Sequence, residues 1–214
     1  MSAALNWARK ELEWEVPNPF QVRRLKEPAG RNRWLSQTEA SKLIQAAENA
    51  RRSPHLADFI RLGLNTGMRP GELLKLSWSR VDLEMGLIYL EANDQKNGKL
   101  GSVPLNREAR AVIETRNRWR EKYCPQTDWV FCDRKGRRIA SAKKGFRSAV
   151  ERAGLADVHP HDLRRTRGSW LVQKEVDIRT VSELLRNSDV RITAEVYAHL
   201  SPANLKSAVD VLDS

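Results

Sequence analysis

The chain has 214 residues, 40% hydrophobic and 30% charged, with a formal net charge of +11 and an isoelectric point near 10.0. This length and composition fit one full-sized domain with a real core plus a fragment of another, and they exclude a disordered chain. No apolar run approaches the roughly 20 residues needed to span a bilayer, and no signal-peptide core follows the N-terminus, so a cytoplasmic protein with no membrane partner is expected.

Residues 1–16 are predicted as a short helix with Leu5, Trp7 and Leu12 apolar among charges, ended by Pro17 and Pro19 because proline cannot continue a helix ladder. The basic, turn-rich stretch 17–33 reads as a linker, and the main domain runs over 34–214. Ser36 followed by Glu39 is a capping box that opens a helix running to about Ala50. A second helix carries Leu56, Phe59, Ile60, Leu62 and Leu64 and stops at Gly67; Pro70 suits the first turn of a third. Strand character follows at Leu87–Leu90 and Ser102–Leu105, with Lys96-Asn97-Gly98 as a hairpin signal between them.

Arg107 to Lys122 reads as a long charged helix, and Trp129-Val130-Phe131 as a short buried segment. Further helices are predicted at about 141–153, 160–173, 178–186, 190–199 and 202–212. The fold class is therefore mainly α with a small antiparallel β-sheet (α+β). Cys124 and Cys132 have no histidine nearby to complete a zinc site, and they are expected as free, buried or half-buried thiols.

Charge is unevenly placed. Between Arg116 and Arg152 there are 12 basic and 4 acidic residues, so this stretch supplies +8 of the +11. A concentrated basic zone points to phosphate, because each neutralised phosphate releases condensed counterions. A solvated basic face or an anionic membrane surface are the alternatives.

Four segments carry the chemistry: Thr66 to Leu73 around Arg69, Gln95-Lys96-Asn97-Gly98, His161 to Thr166, and Val196-Tyr197-Ala198-His199-Leu200. Singly each has a plain structural reading. Arg69 and Glu72 could be a local ion pair, Lys96 a solvated turn residue, and Tyr197 a core aromatic with its hydroxyl at the surface. His161 and Arg164, at i and i+3, share one helix face near its start. In this order and context, the segments together resemble the tyrosine recombinases, the family of phage-type integrases, over Trp34 to about Leu212.

The resemblance implies a tyrosine recombinase catalytic domain with a DNA breaking-rejoining fold. It implies a site-specific recombinase that cleaves and rejoins DNA through a 3′-phosphotyrosyl bond, with no metal, no cofactor and no ATP. Tyr197 would be the nucleophile. Arg69 and Arg164 would grip the non-bridging oxygens, since their planar forks match phosphate. His161 would transfer a proton or bind phosphate, and Lys96 would protonate the departing 5′-oxygen. Glu72 would orient the first arginine or the histidine.

One departure stands out. The family places Gly-His, sometimes Gly-Trp, shortly before the tyrosine; here Arg186 stands at the glycine and Asn187 at the His or Trp. Asn187 to Tyr197 is ten positions, one more than the family's usual interval, which counted back lands on Ser188. The extra residue would turn Tyr197 by about 100° around its helix unless a bulge absorbs it. Asparagine can still donate to a phosphate oxygen, so retained chemistry is one expectation; an impaired integrase remnant that only binds DNA is the other.

Lys143, Lys144 and Arg147, with Arg137 and Arg138 nearby, fit the surface that the family lays along DNA. The resemblance further implies double-stranded DNA as partner, a homo-tetramer on DNA and a monomer alone, and a bacterial, nucleoid-associated location. Residues 1–16 would be the end of a preceding core-binding helical domain. A regulator on a recombinase scaffold and a topoisomerase-type relaxase are the readings from other classes.

Overall fold

A computed structural model describes residues 2–19, 33–92, 98 and 100–197, and the chain divides into two compact units, residues 1–32 and 33–214. In the first unit, α1 spans Ser2–Glu11. It ends well before Pro17, which corrects the expectation of a helix to residue 16. Glu13 takes a left-handed φ of 52°, and the Asn18 side chain turns back to donate to Asn6 Oδ1 at 2.7 Å and Ser2 Oγ at 3.0 Å. These bonds close a loop on the helix start, so the prolines follow the turn rather than cause it.

The second unit is mainly helical. Ser36 caps α2 (Gln37–Glu48) with both bonds of the capping box formed. α3 (Leu56–Thr66) buries Leu56, Phe59, Ile60, Leu62 and Leu64 and packs against α2, α5 and α7. A helix apolar on most of its faces belongs at the centre of a core, and α3 sits there. α4 (Pro70–Leu74) follows, then the antiparallel strands β1 (Val81–Asp82), β2 (Leu87–Leu90) and β3 (Gly101–Pro104), in that order across the sheet. Ile88 pairs with Val103, both fully buried on the core face, while Tyr89 points outward. Leu90 pairs with Gly101, so the hairpin connection is residues 91–100 rather than a tight two-residue turn. Asn97 lies outside the described residues; Gly98 adopts φ 64°.

Asn106 caps α5 (Arg107–Tyr123), which closes the core with Ala109, Val112 and Ile113. Val130 and Phe131 are buried, and the Ser77–Trp129 bridge ties that segment beside the end of α4. α6 (Lys143–Arg152), α7 (Asp162–Gln173), α8 (Ile178–Leu184) and α9 (Val190–Tyr197) complete the unit. The helix predicted at 202–212 lies outside the described residues. Cys124 and Cys132 are buried and free, their sulfurs 3.5 Å apart. No described helix is long and apolar enough to cross a membrane.

Candidate active site

Three chain junctions build the site: α3 stops at Gly67, α7 starts after His161, and α8 stops at Leu185. Gly67 holds φ 63°, the left-handed cap that glycine adopts at least cost. Arg164, 5% exposed, ties the three together. Its Nη1 donates to Gly67 O at 2.8 Å, and its Nη2 donates to Leu185 O and, at 2.8 Å, to Asn187 Oδ1. A guanidinium thus satisfies carbonyls at two helix C-termini, where the backbone dipoles favour a cation. Burial, reinforced by Arg69 and Arg186, pulls its pKa down to about 9, which leaves it charged at neutral pH.

Arg69 and Glu72 are set by the first turn of α4, with Pro70 fixing its start. Glu72, 4% exposed, accepts from the Arg69 backbone at 2.8 Å and from Arg69 Nη1 at 2.7 Å. Its Oε2 also accepts from Arg186 Nη2 at 2.9 Å. Of the two partners left open for Glu72, the described hydrogen bonds are to arginine and none is to His161.

Arg69, His161, Arg164, Arg186, Asn187 and Ser188 line one cavity of about 480 Å³, with Ile192 at its apolar side. The His161 pKa is lowered, by partial burial first and then by Arg164, Arg165 and Arg69, so the imidazole is neutral at physiological pH. It can therefore accept a proton or share one in a hydrogen bond. Asp162, 1% exposed, holds the turn before it by accepting from the His159 backbone at 2.8 Å.

Tyr197 does not line this cavity. It is 5% exposed, clustered with Val172, Val181 and Leu185, and its ring lies against Gly168. Gly168 follows Arg164 by four residues on α7, so the phenol sits one turn along the face that presents Arg164. Burial raises the tyrosine pKa, while the charges of Arg164 and Arg165 act to lower it. α9 runs from Val190 to Tyr197 without a bulge, and Thr193 and Tyr197 share its buried face. Thr193 Oγ1 accepts from Asn187 Nδ2 at 2.8 Å, so Asn187 links Arg164 to the tyrosine's own helix.

Arg69, Glu72, His161, Arg164 and Asn187 are thus brought together, whereas Lys96 lies outside the described residues. Three contributors escaped the sequence reading. Gly168 stands inside a helix, where glycine costs about 1 kcal/mol against alanine and so implies a close approach. Arg186 was noted only as a departure, and Thr193 carries no local signal. Among the described residues, no group of three or more acidic, histidine or cysteine side chains could hold a metal.

Lys143, Lys144, Arg147, Arg137 and Arg138 are all exposed. Arg137 is engaged by Asp133 at 2.8 Å, and Arg147 lies 3.8 Å from Glu151. Lys143, Lys144 and Arg147 border a second concavity of about 620 Å³ that also includes His159 and Pro160. Pro160 in its wall directly precedes His161 of the arginine cavity in the chain.

The model of the family described as "Phage integrase family" matches residues 33–204. The integrase of Salmonella phage P22 is 27% identical over 95% of this chain and 53% of its own length. A tyrosine recombinase XerC of Pseudomonas fluorescens is 30% identical over 86% of this chain and 62% of its own. The chain therefore spans between half and two thirds of the length of these relatives. Among solved structures, XerA recombinase superposes with a TM-score of 0.66 at 24% identity, covering 99% of this chain and 74% of that one. The Tn1549 transposon integrase in complex with transposon right end DNA superposes with a TM-score of 0.77 at 17% identity, covering 100% and 77%. These likenesses establish the fold.

Proposed function

We propose, from the premise that the chain belongs to the phage integrase family, that it cuts and rejoins double-stranded DNA through Tyr197. The observation that carries this reading is the single cavity lined by Arg69, Arg164 and His161, with Tyr197 packed one helical turn from Arg164. Guanidinium forks gathered in one cavity suit a phosphodiester. Placed where negative charge develops on the phosphorus, they stabilise the transition state more than the ground state.

In the proposed reaction the Tyr197 oxygen forms a bond to the scissile phosphorus, and the bond to the 5′-oxygen breaks. The phenolic proton leaves to a base, a role that neutral His161 can fill. Lys96 supplies a proton to the departing 5′-oxygen. The phosphotyrosyl ester conserves the bond energy, so the reverse attack by a 5′-hydroxyl rejoins the strand without ATP. Tyr197 must first leave its apolar pocket, because in the present arrangement it is 5% exposed and faces Gly168. A stored phenol with a raised pKa is inert until DNA binding draws α9 toward the cavity.

The exposed Lys143, Lys144, Arg147, Arg137 and Arg138 would contact DNA phosphates. A homo-tetramer on DNA, a monomer in isolation and a nucleoid location complete the proposal. A nicked duplex that traps the cleaved strand tests the reading. Wild type accumulates a covalent protein–DNA adduct, and a protein that binds the duplex with no adduct would instead act as a DNA-binding module.

A further inference from the structure

Arg186 stands in a backbone conformation with φ 54°, directly after the C-terminus of α8. Glycine takes this left-handed position most easily, and a β-carbon there is strained. The side chain nevertheless turns inward to 8% exposure and lines the same cavity as Arg69 and Arg164. Its Nη2 donates to Glu72 Oε2 at 2.9 Å, while the other oxygen of that carboxylate receives Arg69 Nη1 at 2.7 Å. Its buried Nε has no hydrogen-bond partner among the described residues.

Three guanidinium groups therefore line one cavity, and two of them, Arg69 and Arg186, share the Glu72 carboxylate. The surplus of two positive charges is unfavourable until an anion enters, and it matches the two negative charges of a pentacoordinate phosphorane better than the single charge of a phosphodiester. Arg186 Nη1 donates to Leu184 O at 3.2 Å, so this strained arginine is held in the cavity wall, in the segment leading to α9, where the charge appears.

Resting on the phosphotransfer reading above, we propose that Arg186 is a third arginine of the phosphate site. It holds Glu72 and hence Arg69 in place, and it adds positive charge where the scissile phosphate gains negative charge. This side chain would then compensate for the asparagine at position 187, which brings no charge of its own.

The test compares wild type, R186G and R186K in single-turnover cleavage of a nicked duplex at saturating DNA. Each is run with an ordinary scissile phosphate and with a neutral methylphosphonate in its place. R186G suits the left-handed backbone, so its thermal midpoint should hold and its DNA affinity should stay within about threefold. On phosphate its cleavage should fall on the order of 100-fold, with R186K between the two. On methylphosphonate the R186G penalty should shrink to within about tenfold, because less charge needs neutralising. An R186G rate equal to wild type, or the same penalty on both backbones, would overturn the role of Arg186 and leave the reading intact. No adduct from wild type would overturn the reading beneath it.

Discussion

The Tyr197 ring rests on Gly168 so closely that a β-carbon at that glycine would stand 2.5 Å from Tyr197 Cζ and 2.8 Å from its hydroxyl oxygen. The missing side chain makes room for the phenol. Gly168→Ala should gain helix propensity, about 1 kcal/mol at an interior position, and lose it to this clash. In wild type the substitution should therefore destabilise the fold, whereas in a Tyr197→Ala background it should stabilise by roughly 0.5–1 kcal/mol. Urea denaturation of the four proteins measures the coupling; equal effects in both backgrounds would mean that the ring does not occupy this place.

Arg164→Ala removes the bonds to Gly67, Leu185 and Asn187. Stranded carbonyls cost about 1–3 kcal/mol, and loss of a charge-stabilising donor costs on the order of 10²–10³ in rate. The variant should bind DNA near wild-type affinity, fold with reduced stability, and lose most cleavage. Gel-shift and single-turnover assays on one preparation separate these effects, and a parallel loss of binding and cleavage would contradict the assigned role.

Acid should weaken the fold through His55. Its burial, with Arg116 nearby, lowers its pKa from 6.5 to about 4. A histidine kept neutral in the folded state contributes stability that is fully present above about 6.5 and is lost as the pH falls toward 4. That difference corresponds to about 3 kcal/mol. His161 shifts in the same direction and adds to the effect. Between pH 7 and 5, His55→Gln should lose less stability than wild type, and an identical pH slope in urea midpoints would count against the burial argument.

Lys143 and Arg147 lie one turn apart on the exposed side of α6. If both meet DNA phosphates, replacing them with glutamine should make the slope of log K against log salt shallower by about 2. Filter binding across a salt series measures it, and an unchanged slope would remove them from the interface.

Much of the fold was legible because its signals are local. The Ser36–Glu39 box and the Gly67 stop both fix helix ends within a few residues of their cause. β1 escaped because two residues show no periodicity, and the end of α1 depends on Asn18 folding back across the unit. At the site, the resemblance of four ordered segments to a known family brought forward Arg69, His161, Arg164 and Tyr197. It could not show that Arg186 reaches 114 positions back to Glu72, or that Asn187 bridges Arg164 and Thr193. Those pairings are made by the packing of α7, α8 and α9, and no local pattern encodes them.

The most direct measurement is the mass of the protein after incubation with a nicked duplex that traps the cleaved strand. Wild type should gain the mass of the strand segment on the 5′ side of the scissile phosphate, mapped by digestion to Tyr197. Tyr197→Phe should bind the same duplex and gain none. An adduct surviving in Tyr197→Phe, or mapped to another residue, would contradict the account.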